Sequence, residues 1–567
     1  MTTPGTTKHR KAADDARLKR EIGTIGLLFT AVGSIIGSGW LFGALNAAQI
    51  AGPASIIAWG IGGVMVVLIG LCYAELGTMF PVSGGVVRFP HYAFGSFAGY
   101  TLGWITWIAA ASTTSIEVLA ALQYSNNYLP WLQTLQDGVP VLTGPGLAVA
   151  IAMLALFSLV NVVGIRWFAR LNNALVWWKL LIIVVVIVAF LLTTFHGRNF
   201  AHADAGGFMP FGWAGVFASI ATGGIVFSYL GFRQGVELAG ETSNPQRNVP
   251  LAIIGSIAIT GVIYVALQIA FIGALPSEAL SHGWANVGAS FTAGFSDIAA
   301  TFGPLAALAG AMGLTWLAVL LYIDAVISPA DTGLIYTTVT ARISYAMGRN
   351  GHAPRSLAKV SERGVPWVSV ILTFIVATIF FLPFPGWQKM VGFVTSATML
   401  SFGSGPLALI AMRKELPNQE RPFRLPAGNV IAYFGFLSSN LIVYWSGWED
   451  TWKLLIAVLL GYVVLVIHEL RYHESTPKLE FRSGLWVPLW LIGLAVISYL
   501  GEYPNPAEGA GNIGMIGFGW AILVLAVFSA LILWIAVSLC LPRERMEEHL
   551  ADPASGTLAE PQVGSGH

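Results

Sequence analysis

The chain has 567 residues, of which 56% are hydrophobic and only 10% are charged. Soluble domains carry about a quarter charged residues, so this composition argues against a water-soluble enzyme, a disordered chain or a nucleic-acid-binding protein and indicates a polytopic membrane protein. The net charge is only +1, which gives no reason to expect a polyanionic partner.

Long apolar runs recur along the whole chain. A helix needs about 20 apolar residues to cross about 30 Å of hydrocarbon. Runs of that length, separated by polar, charged or Gly/Pro breaks, predict fourteen membrane spans: 24–48, 54–80, 95–124, 146–165, 172–195, 214–238, 250–275, 303–333, 366–385, 390–412, 430–447, 452–469, 485–501 and 515–541. The polar ends, 1–20 and 546–567, are predicted to be flexible tails.

The basic residues predict the orientation of these spans. With the N-terminus inside, 24 of the 29 Lys and Arg fall in cytoplasmic segments, three fall outside, and Lys179 and Arg233 lie within spans. Cytoplasmic loops of membrane proteins are rich in Lys and Arg. We therefore expect a multi-pass protein of the cell membrane with both termini in the cytoplasm.

Two spans carry glycine clusters near their middle. The first span contains Gly33, Gly37 and Gly39, and the sixth contains Gly223, Gly224 and Gly231. Paired interruptions in two halves of a membrane protein are typical of a secondary transporter with its binding site at the bilayer midplane. Close helix packing through small residues is the alternative interpretation of either cluster alone.

Other classes of activity lack their motifs. The sequence has no Gly-x-x-x-x-Gly-Lys-Ser/Thr phosphate loop and no His or Cys cluster with metal-ligand spacing. No nucleophile and base can be assembled for an enzyme. We therefore expect no cofactor and no metal site.

Several blocks of sequence give a specific resemblance. They are Gly37–Gly39, Tyr73–Gly85, Gly231–Phe232, Glu241–Pro250 and Tyr345–Gly351. On these blocks, residues 21–412 resemble the amino acid/polyamine/organocation permease superfamily. Gly37–Phe42, Ser115–Val118 and Gly231–Gln234 look most like its bacterial aspartate/proton symporter branch.

The resemblance implies a fold and a division of the chain. It implies an all-α membrane protein whose ten-helix core, 21–412, is a five-plus-five inverted repeat with helices 1 and 6 unwound. Residues 413–545 would add about four membrane helices. The substrate carboxylate would meet Ser34, Gly37, Ser38 and Gly39, and the α-ammonium would meet carbonyls of Phe227, Ser228, Tyr229 and Leu230, next to Gly231. Phe232 would be a gate, or plain packing.

Charged residues within spans are costly, which makes each a functional candidate. By the same resemblance, Lys179 would lie against the unwound part of helix 1, as a fixed cation in place of sodium or as the carrier of a coupled proton; a snorkelling lysine is the alternative. Arg233 could bind a side-chain carboxylate of an acidic substrate or simply neutralise Glu237.

The remaining buried carboxylates are assigned by position. Glu117 and Asp324 suit a proton relay, although either could instead accept hydrogen bonds from neighbouring hydroxyls. Glu75 is interpreted as a gate or as a structural partner of a loop cation. The resemblance to the permease superfamily also makes Asp331 and Thr332, in the eighth span, weaker site candidates.

Together these observations predict a proton-coupled importer of an amino acid, with an acidic amino acid as the leading substrate and the bilayer as its setting. A carrier or exchanger of neutral or cationic amino acids or polyamines remains an alternative. From another class, a non-transporting receptor or a channel on the same fold also remains open. The sequence does not indicate an oligomeric state.

Overall fold

The computed structural model of the chain describes residues 22–136, 138–163, 165–290, 297–349, 353–361, 365–472, 478–503 and 509–551. The predicted N-terminal tail, 1–20, and most of the C-terminal tail therefore lie outside the described residues. Within the described part, ten helices are long and apolar enough to cross a membrane, and three more apolar helices are shorter: Thr24–Ile35, Gly212–Ala221 and Trp367–Phe380.

The helices of the first half are numbered in chain order. They are α1 (Thr24–Ile35), α2 (Gly39–Ala51), α3 (Ser55–Met79), α4 (Gly85–Ser125), α5 (Gly144–Val163), α6 (Ile165–Thr193), α7 (Gly212–Ala221), α8 (Gln234–Glu237) and α9 (Pro245–Ala274). An antiparallel hairpin of β1 (Gln133–Gln136) and β2 (Val139–Leu142) follows α4 and pairs Gln133 with Leu142. Short 3-10 helices lie at Gly52–Ala54, Gly197–Ala201, Ala203–Ala205, Phe227–Arg233 and Ala239–Glu241.

The second half continues in the same way. Its helices are α10 (Val287–Ser290), α11 (Asp297–Phe302), α12 (Pro304–Ala311), α13 (Thr315–Arg349), α14 (Trp367–Phe380), α15 (Trp387–Glu415), α16 (Gly428–Trp445), α17 (Trp448–Tyr472), α18 (Phe481–Gly484), α19 (Trp486–Leu500), α20 (Phe518–Leu539) and α21 (Arg543–Ala551). Further 3-10 helices are Ser277–Leu280, Trp284–Asn286 and Arg355–Ala358.

The centre of the bundle is built around α4 and α15. The most apolar stretch of each of these helices is wholly buried inside the protein. Helix α4 packs against α13 on one side and α15 on the other, while α9 packs against α3 and α1. A helix that is apolar all round and buried all round provides a fixed frame, against which α1, α2 and the sixth span are placed.

Two predicted spans differ most in their bounds from the observed helices. The third span was expected to begin at residue 95, whereas α4 begins at Gly85 and bends at Gly95, whose φ of +79° suits only glycine. The eighth was expected over 303–333, whereas α12 ends at Ala311 and α13 runs from Thr315 to Arg349. Residues 334–348, which mix polar and apolar side chains, continue this helix, and most of their side chains are buried inside the protein.

The last described helix lies across the boundary predicted at residue 546. Arg543–Ala551 is helical, so the beginning of the expected tail is ordered. Met546 is fully buried, and the amide of Leu541 donates to the carbonyl of Ala93 at 3.0 Å. The helix is thus docked on α4 near its bend.

Glu480 joins three separate parts of the chain at this bend. Its carboxylate accepts from the Ser96 amide at 3.0 Å, from Arg545 at 3.0 Å and from the His549 ring at 3.2 Å. Burial alone would raise the pKa of Glu480, but the hydrogen bonds from His549, Ser96 and Arg545 outweigh it and lower the pKa to about 2. The carboxylate is therefore ionised throughout the physiological range.

The Glu480 cluster acts as a clamp on α4, and a second clamp, around Glu75, holds the C-terminal end of α3. Glu75 is fully buried, and its two oxygens accept from Arg413 Nε at 2.9 Å and Nη2 at 2.5 Å. The same carboxylate accepts from the Leu425 amide at 2.7 Å and lies 3.4 Å from Arg421 Nε. Three hydrogen bonds and a second guanidinium around one carboxylate account for its burial.

Candidate functional site

The first span is broken between α1 and α2, at Ile36–Ser38. Three carbonyls at the break take donors from other helices, which replace hydrogen bonds that a continuous helix would supply in a membrane. Gly33 O accepts from Lys179 Nζ at 3.0 Å, Ile35 O from the Tyr264 hydroxyl at 3.2 Å, and Ile36 O from the Thr332 hydroxyl at 3.4 Å. Three other helices therefore hold the break open.

The sixth span is interrupted as well. Helix α7 ends at Ala221, and the chain resumes as the 3-10 segment Phe227–Arg233 after a turn in which Gly224 has a φ of +85°. The two interruptions touch. A Cβ added at Gly231 would lie 2.5 Å from Ser34 O and closer still to Ile35 N, so only glycine permits this approach.

A small cavity lies between the two interruptions. It is lined by residues of the first span, α4, the sixth span and α13: Ser34, Ile35, Gly37, Thr113, Glu117, Phe227, Leu230, Gly231, Thr332 and Tyr336. Its volume is about 10 Å³, which is space for one water molecule. An amino acid fits here only after the surrounding groups move apart.

Glu117 occupies the position expected for a substrate carboxylate. Its Oε2 accepts from the amide of Ser38 at 2.8 Å, inside the break of the first span. A Cβ at Gly37 would lie 2.7 Å from Oε1 of the same carboxylate. The side chain therefore fills the anion-binding turn with a carboxylate that belongs to the protein.

Lys179, on α6, contacts the end of α1 next to the same break. Its ammonium, which has no exposed surface, is 2.6 Å from Asp331 Oδ2 and also donates to the Thr332 hydroxyl at 3.1 Å. A snorkelling lysine would reach outward to the lipid headgroups. Lys179 instead points into the protein and binds the backbone of the first span.

Arg233 is a buried guanidinium with too few acceptors. It has no exposed surface, and its one ion pair joins Nη2 to Glu237 Oε1 at 3.4 Å. Within the described part of the chain, its Nε and Nη1 have no hydrogen-bond partner. The guanidinium carbon lies 5.9 Å from the ring centres of both Tyr336 and Phe402. Tyr336 also lines the cavity, so one side chain separates Arg233 from it.

The sequence-predicted substrate residues divide into two groups. Those that line the cavity are Ser34, Gly37, Phe227, Leu230 and Gly231. Those that lie around it without lining it are Ser38, Gly39, Ser228, Tyr229, Phe232 and Arg233. In this second group, Ser38 accepts from Trp387 Nε1 through its hydroxyl at 2.9 Å, and Phe232 packs on Phe402 with ring centres 5.0 Å apart.

The predicted coupling and gating residues are also spread apart. Glu117 lines the cavity, and Lys179 donates a hydrogen bond to the backbone carbonyl of Gly33 beside it. Asp324 is buried on α13 outside the cavity lining, where it accepts from Trp178 Nε1 and the Ser328 hydroxyl, both at 2.8 Å. Glu75 forms the clamp with Arg413. The backbone carbonyl of Glu237 accepts a hydrogen bond from the Gly84 amide at 3.1 Å.

Sequence reasoning missed Thr113 and Tyr336 as lining residues. Thr113 is four residues before Glu117, and Tyr336 is four residues after Thr332. On a helix this spacing puts both members of a pair on one face. The signal was available once either partner had been assigned to the site.

Comparison with known proteins assigns this arrangement to a family. Residues 22–466 match the model of the amino acid permease family, which covers the broken spans, the cavity and both clamps' attachment points on α3 and α4. The chain belongs to the amino acid permease family. It is a transporter rather than an enzyme, and it is a multi-pass membrane protein. The expected relationship to this superfamily is thus confirmed.

Three similar proteins are named for different amino acid substrates. The chain is 37% identical to the glutamate/serine transporter AimA of Bacillus subtilis, over 90% of this chain and 92% of that protein. It is 34% identical to the aspartate-proton symporter of Bacillus subtilis, over 93% of this chain and 98% of that protein. The branched-chain amino acid permease BcaP of the same species is 26% identical, over 81% of this chain and 94% of that protein.

Proposed function

We propose that this permease imports an acidic amino acid together with a proton, by alternating access around the cavity between the first and sixth spans. The observation that carries the acidic substrate is Arg233. A buried guanidinium keeps two N–H groups without acceptors among the described residues, at a position one side chain away from the cavity.

Unpaired buried donors are costly, on the order of 1–3 kcal/mol each. A second carboxylate on the substrate would supply acceptors in the planar, two-pronged geometry that arginine favours. Glu237 takes only Nη2, at 3.4 Å, so the internal ion pair leaves this capacity unused. Tyr336 would have to turn aside as the substrate side chain enters.

Glu117 supports coupling to a proton. The amide of Ser38 donates a hydrogen bond to the Glu117 carboxylate, and a substrate carboxylate would need the same donor. Two carboxylates cannot share this turn in ionised form, because like charges at close range repel strongly in a low-dielectric site. Protonation of Glu117 removes its negative charge and weakens its hydrogen bond from the Ser38 amide, so proton binding and substrate binding favour one another.

The relatives support the same choice of substrate and coupling ion. One is named for glutamate and serine, and another for aspartate and a proton. Serine in the first name makes a small neutral amino acid the second candidate for this chain, since Phe227 and Leu230 offer the cavity an apolar wall.

The architecture that accompanies this function is part of the proposal. The core, 21–412, is a five-plus-five inverted repeat, residues 413–545 add four membrane helices, and the protein crosses the cell membrane fourteen times with both termini in the cytoplasm. The broken first and sixth spans support the repeat, and the 24-to-3 distribution of basic residues supports the orientation.

Reconstituted protein tests the transport cycle. We expect saturable aspartate counterflow in sodium-free liposomes and accumulation driven by an inward proton gradient. Excess glutamate should compete, while asparagine, which has the same size and one carboxylate fewer, should compete at least tenfold less well. Binding without flux would indicate a receptor, and flux without trans-stimulation a channel. Accumulation only with inward sodium would refute proton coupling.

The Arg233→Gln variant tests the acidic-substrate argument. Losing a charged hydrogen bond costs about 1.5–3 kcal/mol, so the aspartate KM should rise roughly 10- to 100-fold. Serine uptake, if present in the wild type, should fall much less. The matched control is Arg342→Gln, because Arg342 also pairs with a glutamate, Glu241, at 3.5 Å but is half exposed and outside the site. Equal loss for both substrates would contradict the role of Arg233.

A further inference from the structure

Lys179 and Asp331 form an ion pair that neither lipid nor water reaches. The Nζ to Oδ2 distance is 2.6 Å, and both side chains are fully buried. The ammonium also donates to Gly33 O at 3.0 Å and to the Thr332 hydroxyl at 3.1 Å. Lys179 thus donates two hydrogen bonds, and the Asp331 carboxylate, neither oxygen of which has a hydrogen-bond partner among the described residues, lies at ion-pair distance as its countercharge.

This geometry bears on which group carries the coupled proton. If Lys179 released a proton, it would lose one of its three polar contacts and leave the Asp331 carboxylate buried without a countercharge. Breaking a buried pair in this way is strongly unfavourable. The pair is therefore a poor proton carrier, and Asp331 is the reason.

Glu117 differs from this pair in its surroundings. Its carboxylate accepts the Ser38 amide, and in the described part of the chain no Lys or Arg nitrogen lies within 4 Å of it. Protonating Glu117 therefore breaks no ion pair. Asp324 is likewise without an ion pair among the described residues, but it lies outside the cavity lining, so its protonation is not linked to the space that the substrate enters.

We propose that Asp331 is a positioning residue that keeps Lys179 permanently charged, so that Lys179 acts as a fixed cation on the break of the first span while Glu117 carries the coupled proton. The inference rests on the proposed proton-coupled function. The charged and titratable groups that surround this unit are Lys179 on α6, Asp324, Asp331 and Tyr336 on α13, Glu117 on α4, Tyr264 on α9 and Arg233 in the sixth span.

The test is the pH dependence of aspartate KM in proteoliposomes. Asp331→Asn removes the countercharge that keeps Lys179 charged, so Lys179 should now titrate within the assayed range and add a second step to the wild-type profile, whose half-maximal pH is the reference. Lys179→Gln leaves the opposite charge uncompensated and should move it up. Asp331→Glu, which keeps the charge, should stay near the wild type. The double variant Lys179→Gln/Asp331→Asn is neutral again and should return to within about 0.3 unit of it.

Each result decides between the possibilities. A second titration in Asp331→Asn and an upward shift in Lys179→Gln, both absent from the double variant, support the inference. A wild-type profile in either folded single variant, or a shift that persists in the double variant, overturns it while leaving proton coupling intact. A wild-type protein whose aspartate uptake ignores the proton gradient refutes the proposed function itself. Thermal unfolding in detergent checks that each variant is folded.

Discussion

The contact between the two broken spans can be tested at Gly231. In Gly231→Ala the new Cβ would lie 2.5 Å from Ser34 O and closer to Ile35 N, whereas ordinary contacts of this kind are 3.4–4 Å. Both neighbours are backbone atoms, so no side-chain rotation relieves the overlap. The first and sixth spans must separate by about 1 Å, and close-packed interiors resist such a shift.

The expected cost follows from that displacement. A misplacement of about 1 Å at a site costs on the order of 100-fold in rate, because the groups that hold the substrate no longer converge. We therefore expect the initial rate of aspartate uptake per folded molecule to fall about 100-fold in Gly231→Ala. The amount of folded protein is measured separately, by size-exclusion chromatography of a fluorescent fusion.

Two glycine controls make this result specific. No atom lies within 4 Å of the position that a Cβ would occupy at Gly60, and at Gly26 the nearest atom is 3.6 Å from that position. Alanine at either residue should leave uptake near the wild-type rate. Uptake by Gly231→Ala within twofold of the wild type would refute the reasoning that the two interruptions touch and define the site.

The two clamps, around Glu75 and Glu480, give the remaining predictions. Glu75→Gln removes a buried carboxylate from two arginines and should lower the free energy of unfolding by roughly 3 kcal/mol, which would be seen as a lower Tm. The control is Glu449→Gln, in a partly exposed pair, which should change the free energy of unfolding by less than about 1 kcal/mol. Equal Tm values for the two variants would contradict the role of Glu75. Because the pKa of Glu480 is about 2, below the ordinary value of about 4.3, its stabilising effect is complete above about pH 4.3 and is lost as the pH falls towards 2. At pH 5, well above the pKa of Glu480, hydrogen exchange in Arg543–Ala551 should therefore show the helix docked, and Glu480→Gln should raise its exchange about tenfold at that pH; an unchanged rate would mean that Glu480 does not hold the helix.

The sequence predicted the parts of this protein that follow from the bilayer itself. Apolar runs mark the spans, and glycine clusters mark the breaks, because an interrupted helix needs both small residues and a cavity. The few charges left inside spans then pointed to Lys179, Arg233, Glu117 and Asp324. These inferences need only local composition, so they can be made before any tertiary contact is known.

Contacts between distant helices were beyond that reasoning. The Ser38 amide finds Glu117, 79 residues away, and the spacing of neither residue indicates the other. The sequence makes Asp331 only a weak site candidate, because its ion-pair partner, Lys179, lies on another helix. The residues from 546 onward are predicted to be a tail because their composition is polar, whereas in the structure Met546 is buried and Arg545 and His549 bind Glu480.

The position of Glu480 has a consequence for the order of assembly during synthesis. The Ser96 amide, near the bend of α4, finds its acceptor 384 residues later in the chain, and the arginine and histidine that complete the cluster follow later still. All spans enter the membrane before this cluster can form. This end of α4 is therefore fixed only after the segment that carries Arg545 and His549 has been synthesised, so it is completed late in assembly.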